Sequence, residues 1–268
     1  MCIRDRNSSR IDLSDDGNAD FLWQRKTNAA LSAWFMQGTT RLSVNIVNSN
    51  GIADPSWKII GTADFDRDGY ADFLWRHDGT GTFGVWFMRG TVLRARAMLN
   101  PSGFADTSWK VVALADFDRD GYPDLLWRHD LTGTFGVWFM QGTELRARAM
   151  LSPTGIPDTN WKVVGVGDFD ADGKPDLVWR NELTGAAGVW CMEGTTLRMA
   201  VMLNPPGIAD ANWLIEGVGD IDGDNRPDIV FHHRLSGALG VWLMNGFNVA
   251  ASVALPSIDP SWRLVGIR

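Results

Sequence analysis

Apolar residues in this chain of 268 residues come in short runs that are separated by turn signals. No run keeps a helical period, so the pattern predicts strands. One unit contains four of them: "WKVVGVGDF" predicts the first, "PDLLWRH" the second, "TFGVWFM" the third and "LRARAML" the fourth. An aspartate-rich loop joins the first strand to the second, and a linker of Pro, Gly and Asp leads to the next unit.

The unit occurs five times along the chain. Its copies begin, at a spacing of 52 residues, at Asp12, Asp64, Asp116, Asp168 and Asp220. All 14 tryptophans fall on three repeat positions, one in the second strand, one in the third and one at the start of the first. Periods of this length are typical of propellers and solenoids. Four antiparallel strands in each repeat, closed into a ring, predict a β-propeller.

The predicted fold class is therefore all-β, a five-bladed β-propeller of four-stranded antiparallel blades. The chain enters at an aspartate loop and leaves after a lone first strand, "WRLVGIR", so we expect one closing blade shared between the N- and C-terminal segments. A fragment of a longer array is the alternative. Residues 1–11 match nothing later and are interpreted as a non-native or disordered leader. Residues 12–268 are assigned to one propeller domain, with repeats 12–63, 64–115, 116–167, 168–219 and 220–268.

Composition excludes several classes of function. The chain is 45% hydrophobic and 21% charged, as folded soluble proteins are, and no apolar stretch is long enough for a membrane span. A net charge of −7 argues against nucleic-acid binding. Cys2 and Cys191 give no disulfide framework. Cys191 stands where other copies have Phe87 and Phe139, so we expect it to be a small buried apolar residue.

The aspartate-rich loop carries the chemistry. In "DFDRDGYADFLW", Asp64, Asp66, Asp68 and Asp72 occupy loop positions one, three, five and nine, and a glycine follows the third aspartate. Alternate residues of a tight turn point at one centre, and Tyr70 offers its backbone carbonyl. Such an oxygen-only set selects Ca²⁺ over zinc or copper.

The same pattern recurs in the third, fourth and fifth copies. The ligands predicted there, with position seven again acting through its carbonyl, are Asp116, Asp118, Asp120, Tyr122, Asp124, Asp168, Asp170, Asp172, Lys174, Asp176, Asp220, Asp222, Asp224, Arg226 and Asp228. In the fifth copy Asn225 replaces the loop glycine and tolerates the same left-handed backbone. Ser14 replaces a carboxylate in the first copy. We therefore expect a weak or empty site there, made of Asp12, Asp16, Asn18 and Asp20.

The loops together predict about four Ca²⁺ ions, one in each intact loop. Solvated hairpin turns also contain aspartate and glycine, and they are the alternative for any single loop. The repetition of one spacing in four loops favours metal.

At these residues the sequence resembles a known family. "DFDRDGYPDLLW" and "DFDADGKPDLVW", with "TGTFGVWFMQG" after them, are similar to FG-GAP or VCBS-type repeats, the calcium-loop propeller repeats of integrin α-subunits and many secreted bacterial proteins. The resemblance covers residues 12–268. It implies a calcium-stabilised propeller with a binding or adhesion role in an extracellular setting, secreted or periplasmic. Integrin-like fungal lectins hold sugars between blades of this architecture, although seven blades are usual there and in integrins.

An active site occurs once, so catalytic residues would be found at positions that depart from the repeat. These positions are Arg25, Lys26, Glu216, His232 and His233. Adjacent strand residues face opposite ways, so the two histidines are not expected to converge. No nucleophile with a suitable base accompanies them, so we expect no enzyme.

Tryptophans of the second and third strands alternate with apolar residues and are interpreted as wedges between blades. Those of the third set differ, because each follows an aspartate by three residues at a linker end. An indole beside a carboxylate predicts a carbohydrate subsite, and a simple linker anchor is the alternative. The residues concerned are Trp57, Asp106, Trp109, Asp158, Trp161, Asp210, Trp213 and Trp262.

Arginines of the fourth strands have two interpretations. They form a positive rim for an anionic polysaccharide or nucleic acid, or they protect a solvated sheet edge. The residues are Arg94, Arg96, Arg146, Arg148 and Arg198.

These features predict a non-catalytic, calcium-stabilised binding module that is lectin-like and holds extracellular carbohydrate. Several weak equivalent sites on one ring would give avidity for a polyvalent surface. The competing hypothesis is a protein-interaction or cell-adhesion scaffold from a longer secreted protein. We expect a monomeric ring that binds a glycan or an extracellular protein surface and has no nucleic-acid partner.

Overall fold

The computed structural model describes residues 11–47, 54–104 and 106–266. Every regular element within these ranges is a β-strand, and there are twenty of them. The described part of the chain holds no helix that is long and apolar enough to cross a membrane. Cys2 and most of the leader predicted for residues 1–11 lie outside these ranges. Ile11 is described, and its side chain is only 1% exposed.

The strands fall into four classes by their distance from the ring axis. The innermost are β4 (Trp57–Ala63), β8 (Trp109–Ala115), β12 (Trp161–Gly167), β16 (Trp213–Gly219) and β20 (Trp262–Gly266). The second are β1 (Phe21–Arg25), β5 (Asp72–His77), β9 (Asp124–His129), β13 (Asp176–Asn181) and β17 (Asp228–His233). The third are β2 (Leu31–Gln37), β6 (Thr82–Arg89), β10 (Thr134–Gln141), β14 (Ala186–Glu193) and β18 (Leu239–Asn245). The outermost are β3 (Thr40–Ile46), β7 (Val92–Gly103), β11 (Glu144–Gly155), β15 (Thr196–Gly207) and β19 (Asn248–Leu255).

Antiparallel pairing groups these strands into blades. Blade 1 joins the two ends of the chain in the order β20-β1-β2-β3, and blades 2 to 5 are β4 to β7, β8 to β11, β12 to β15 and β16 to β19. The inner strands contact one another in the closed order β4, β8, β12, β16, β20 and β4. The predicted all-β propeller of four-stranded blades is confirmed.

Large aromatic side chains fill the spaces between blades. Trp23, Trp75, Trp127 and Trp179 of the second strands are at most 2% exposed. Phe83 of blade 2 meets Trp127 of blade 3 with ring centroids 5.1 Å apart. These indoles act as the predicted wedges, and truncating such a buried ring typically destabilises a protein by about 3 to 5 kcal/mol.

Backbone contacts also join the blades at the rim. Each of the outer strands β7, β11 and β15 makes a single parallel bridge to the outer strand of the next blade. The N–H of Asn100, for example, donates to the carbonyl of Thr143 at 2.9 Å. The outer edge of a blade is therefore partly paired, which reduces its tendency to bind other chains.

Strand direction separates two faces of the ring. In blade 2, Trp57 lies opposite His77 at one end of the β4–β5 pair, and Ala63 lies opposite Asp72 at the other. Because every blade runs the same way, the aspartate-rich loops share one face, the loop face. The tryptophans that begin the inner strands share the opposite face, the tryptophan face.

Candidate metal sites and the tryptophan face

The aspartate at loop position nine is the structural centre of each loop. Asp72 is fully buried. Its Oδ1 accepts a hydrogen bond from the N–H of Met88 at 2.8 Å, and its Oδ2 accepts one from Phe65 at 2.9 Å. The same pair of bonds recurs at Asp20, Asp124, Asp176 and Asp228. This carboxylate therefore ties the loop to the third strand, in addition to its predicted role as a ligand.

Burial of these carboxyl groups disfavours their charged form. It raises the pKa of Asp72 to about 8 and that of Asp124 to about 7. The pKa values of Asp20, Asp176 and Asp228 rise to about 6 for the same reason. The backbone hydrogen bonds act in the opposite direction, because they stabilise the anion. A cation in the loop is what would keep such groups ionised at neutral pH.

The aspartate at loop position one stabilises the turn of the loop through hydrogen bonds from backbone N–H groups. Asp64 Oδ1 accepts from the N–H of Asp68 at 3.1 Å, and its Oδ2 accepts from Gly69 at 2.9 Å. Positions four and six are left-handed, with φ of 62° at Arg67 and 90° at Gly69. In the fifth loop the glycine moves to position four, and Asn225 at position six has φ of 64°. The left-handed backbone predicted for Asn225 is confirmed.

Carboxylate oxygens converge in the loops of copies two to five. In each group below, one ligand atom from every residue lies within 4.8 Å of the others. The groups are Asp64, Asp66 and Asp72; Asp116, Asp118 and Asp124; Asp168, Asp170 and Asp172; and Asp220, Asp222 and Asp228. None of these groups, within the described residues, includes Asp12, Asp16 or Asp20 of the first copy. A fifth group joins Asp170 and Asp176 to the thiol of Cys191.

The donor set of these loops fits a hard cation. Asp170 gives the clearest test, because its Oδ1 is buried and has no hydrogen-bond partner. Asp168 and Asp172 each place a carboxylate oxygen within 4.8 Å of an oxygen of Asp170, so a divalent ion would satisfy all three groups at once. Cys191 is fully buried, and burial raises the pKa of its thiol to about 12, so it behaves as the small apolar residue that the sequence predicts.

The residue at loop position seven completes the turn. The N–H of Tyr70 donates to Asp68 Oδ1 at 3.0 Å, and the equivalent residues do the same in the other copies. Those residues are Asn18, Tyr122, Lys174 and Arg226. The role of their backbone carbonyls as metal ligands stays a prediction.

Arginines of the outer strands reach the loop face. Arg94, Arg146 and Arg198 form ion pairs with Asp68, Asp118 and Asp170 respectively. The other two, Arg96 and Arg148, lie over the rings of Trp86 and Trp138 at 4.5 and 5.0 Å. The hypothesis of a free positive rim is therefore not supported, because these five charges are already paired or stacked.

The raised pKa values make the stability of the metal-free protein depend on pH. A carboxyl whose folded pKa lies above its ordinary value of 3.8 holds its proton more tightly in the folded chain. The free energy of unfolding therefore falls as the pH rises from about 4 to about 8. In a chelator we expect the melting temperature to be several degrees higher at pH 5.5 than at pH 8, by circular dichroism. Saturating calcium should remove this trend, and equal slopes with and without calcium would contradict it.

On the tryptophan face, each inner strand begins with a half-buried indole. Trp57 lies edge-on to His77 with ring centroids 5.2 Å apart. His77 Nδ1 accepts from the N–H of Thr80, so Nε2 carries the hydrogen and donates to Asp54 Oδ2 at 3.2 Å. The same trio recurs as Trp109, His129 and Asp106 and as Trp213, His233 and Asp210. In blade 1 Arg25 lies over Trp262 instead, at 5.7 Å.

Sequence reasoning missed the histidines of these trios in blades 2 and 3. A signal for them was present, since a histidine follows the linker aspartate by 23 residues in three copies. The aspartates also form turns, because Oδ1 of each accepts the N–H two residues later. The acceptors are Asp54, Asp106, Asp158, Asp210 and Asp259. These bonds lower the pKa of Asp106 and Asp210. The linker is thus anchored, while the indole stays half exposed.

The repeat-breaking residues stabilise the closing blade. Glu216 Oε2 lies 3.0 Å from His232 Nδ1 and accepts the N–H of Leu264 of β20 at 3.0 Å. His233 faces the other way and pairs with Asp210, so the two histidines do not converge, as predicted. Lys26 donates through Nζ to the carbonyl of Pro260 at 2.8 Å.

Tryptophans of the third strands are buried in four of the five described blades. Trp34, Trp86, Trp138 and Trp242 are at most 8% exposed, as expected for wedges. Trp190 of blade 4 packs against the core between blades 3 and 4, as a wedge does, but it is only half-buried. The reason is its cross-strand neighbour, Ala200, which is smaller than the arginines found opposite Trp86 and Trp138.

Comparison with known proteins shows what part of the chain is similar to a repeat family. A family model described as FG-GAP-like repeat matches residues 64–127 and 116–179, which contain the second, third and fourth aspartate loops. Human integrin alpha-7 is 27% identical over 137 residues, which cover 44% of this chain and 11% of the integrin. Residues 64–179 of this propeller are similar to FG-GAP-like repeats. FG-GAP propellers of integrin type are binding or adhesion modules, and an extracellular setting is typical of them.

Solved structures share the fold of this propeller. A Tc holotoxin pore of Photorhabdus luminescens has a TM-score of 0.52 and 17% identity, over 94% of this chain and 12% of its own. A nidogen/laminin complex has a TM-score of 0.51 and 13% identity, over 93% of this chain and 97% of the matched chain. Identities this low show the propeller fold alone. The chain spans only a small part of integrin alpha-7 and of the toxin chain.

Proposed function

We propose that this propeller is a non-catalytic, calcium-stabilised module that binds extracellular carbohydrate on its tryptophan face. The observation that carries the proposal is the repeated trio of half-buried tryptophan, histidine and aspartate in blades 2, 3 and 5. An indole face offers stacking to the apolar side of a sugar ring, and the carboxylate and imidazole beside it offer hydrogen bonds to hydroxyl groups.

Calcium has a structural role in this proposal. The loops lie on the face opposite the tryptophans, so an ion in a loop would not contact the carbohydrate. It would neutralise the buried carboxylates and fix the turn between the inner and second strands. The same two strands carry the tryptophan and the histidine at their far ends, so an ion in the loop would also help to fix the relative positions of these two side chains.

Adhesion through a protein surface is the second candidate function. The similarity to integrin alpha-7 favours it. In that case the repeated trios serve to anchor the linkers, and the partner is another extracellular protein, with the propeller as a monomeric scaffold. The two candidates differ in whether the isolated chain binds glycans.

A glycan array separates them. We expect the calcium-loaded chain to bind a subset of glycans and to lose at least about tenfold in affinity when Trp57 and Trp109 are both replaced by alanine, because each stacked ring contributes about 1 kcal/mol. Leu42→Ala is the matched control, since Leu42 is a 57% exposed apolar residue of the rim. Absence of any glycan signal, with an unchanged melting temperature, would favour the adhesion scaffold.

A further inference from the structure

Blade 4 carries a pocket of about 200 Å³ whose walls include three tryptophans. We call it the Trp190 pocket, and its lining includes Ile156, Trp161, Trp179, Trp190, Ala200 and Met202. The rings of Trp179 and Trp190 are tilted against each other with centroids 4.6 Å apart. The pocket is smaller than sites for drug-sized ligands usually are, so its size suits one side chain or one head group.

The first cause of the opening is a change in the linker that precedes the blade. In blade 3, Phe104 fills the equivalent space. Its ring stacks on Trp109 at 5.5 Å and meets Trp127 and Trp138 at 4.7 and 4.8 Å. In blade 4 the equivalent residue is Ile156. An isoleucine cannot place a flat ring between three indoles, so space remains between them.

The second cause lies in the outer strand. In blades 1 to 3 a guanidinium covers the third-strand indole: Arg41 over Trp34 at 4.4 Å, Arg96 over Trp86 at 4.5 Å and Arg148 over Trp138 at 5.0 Å. In blade 4, Ala200 lies opposite Trp190. Trp190 is accordingly half-buried, whereas the three covered indoles are at most 4% exposed.

Blade 5 shows that the two small residues open a pocket only where the blade also has three tryptophans. It has Ser252 opposite Trp242 and Ile208 in the linker, as small as the residues of blade 4. Phe231 replaces its second-strand tryptophan, however, and Trp242 stays 8% exposed. Within the described blades, blade 4 therefore combines three tryptophans with the two small residues.

We propose that the Trp190 pocket binds an organic cation, a guanidinium or alkylated ammonium group that comes from outside this chain. Trp161, Trp179 and Trp190 line the pocket, and the negative quadrupole of an indole ring attracts such a cation. The chain itself places a guanidinium on the equivalent indole in three sister blades. None of the residues that line the pocket is charged. No cationic side chain of the lining therefore repels an incoming cation or occupies its place. The pocket lies in blade 4, outside the trios of blades 2, 3 and 5, although Trp161 in its wall is also one of the tryptophans predicted to contact carbohydrate.

Nuclear magnetic resonance of the indole N–H groups tests the proposal on the full chain with calcium. Choline and N-acetyl-arginine amide are titrated separately, which distinguishes an ammonium head group from an arginine side chain. The neutral probe is 3,3-dimethylbutanol, which has the shape of choline without its charge. We expect the Trp161 and Trp190 signals to move with at least one cation, and at least about fivefold tighter binding than that of the neutral probe.

Variants that copy the sister blades provide the specificity control. Ala200→Arg restores the covering guanidinium, and Ile156→Phe restores the phenyl ring of blade 3, so both preserve a packing that the chain already uses. Each is expected to weaken cation binding at least about tenfold without lowering the melting temperature. Ser252→Arg in blade 5 is the matched control and should leave binding unchanged.

Three outcomes would overturn the proposal. They are the absence of binding by either cation, equal binding of the neutral probe, and undiminished binding by both Ala200→Arg and Ile156→Phe. Equal binding of the neutral probe would make the pocket an apolar or sugar site.

Discussion

Removal of calcium is expected to lower the melting temperature of this protein by more than about 15 °C. Each ion held at a hundredfold excess over its Kd stabilises the folded state by about 2.7 kcal/mol, and four proposed ions add their effects. The physical reason lies in the loops, where carboxylates converge: positions one, three and nine in the second, third and fifth copies, and positions one, three and five in the fourth. Differential scanning calorimetry with and without a chelator measures the change.

The controls for this experiment use the repeat. Re-addition of calcium should restore the transition, and magnesium should restore much less of it, since magnesium demands a smaller octahedral site. Asp168→Ala should remove one ion from the count by atomic emission, whereas Asp16→Ala in the first loop should remove none. An unchanged melting temperature in chelator would refute the metal assignment.

Replacement of Asp124 by alanine is expected to destabilise the protein by about 2 to 6 kcal/mol, even in the absence of metal. Asp124 is fully buried, and its two oxygens accept the N–H groups of Phe117 and Met140 at 2.8 and 2.9 Å. Alanine leaves both donors buried and unpaired. Urea unfolding at pH 8, in calcium and in chelator, measures the loss.

Asp120→Ala is the matched variant, because Asp120 occupies the same loop at position five and its carboxylate is not buried in the blade. We expect it to destabilise the calcium-loaded protein and to have little effect in chelator. Asp124→Asn keeps one acceptor oxygen and should fall between the two. If Asp124→Ala and wild type unfold at the same urea concentration in chelator, the structural role of position nine is wrong.

The propeller fold was predictable because the sequence of one blade is repeated five times. The spacing of 52 residues, the four apolar runs and the lone strand "WRLVGIR" give the blade and its closure without any knowledge of contacts. The left-handed backbone at Asn225 was predictable too, because few residues adopt that conformation in a turn. Each of these features depends on local chemistry that repeats.

Other features depend on contacts between distant residues, which a single sequence does not reveal. The ion pair of Arg94 with Asp68 joins the outer strand to a loop 26 residues away, so the arginine looked like a free rim charge. The second role of Asp72, as an acceptor for Met88, requires knowledge of where the third strand ends. The open face of Trp190 results from two small residues, Ile156 in a linker and Ala200 in the outer strand β15, which are 44 positions apart in the chain.

The pairing of β20 with β1 has a consequence for how the chain folds. Leu22 lies opposite Gly266, so this contact joins residues nearly the whole described chain apart, whereas the other blades pair strands close in sequence. Pairing strands so far apart costs conformational entropy. Few contacts compensate this cost until the intervening blades have folded and brought the two strands close together. Blades 2 to 5 can therefore assemble during synthesis, while blade 1 waits for its inner strand. Ring closure requires β20, and until that strand pairs, the edge of β1 is exposed to the solvent and to other chains.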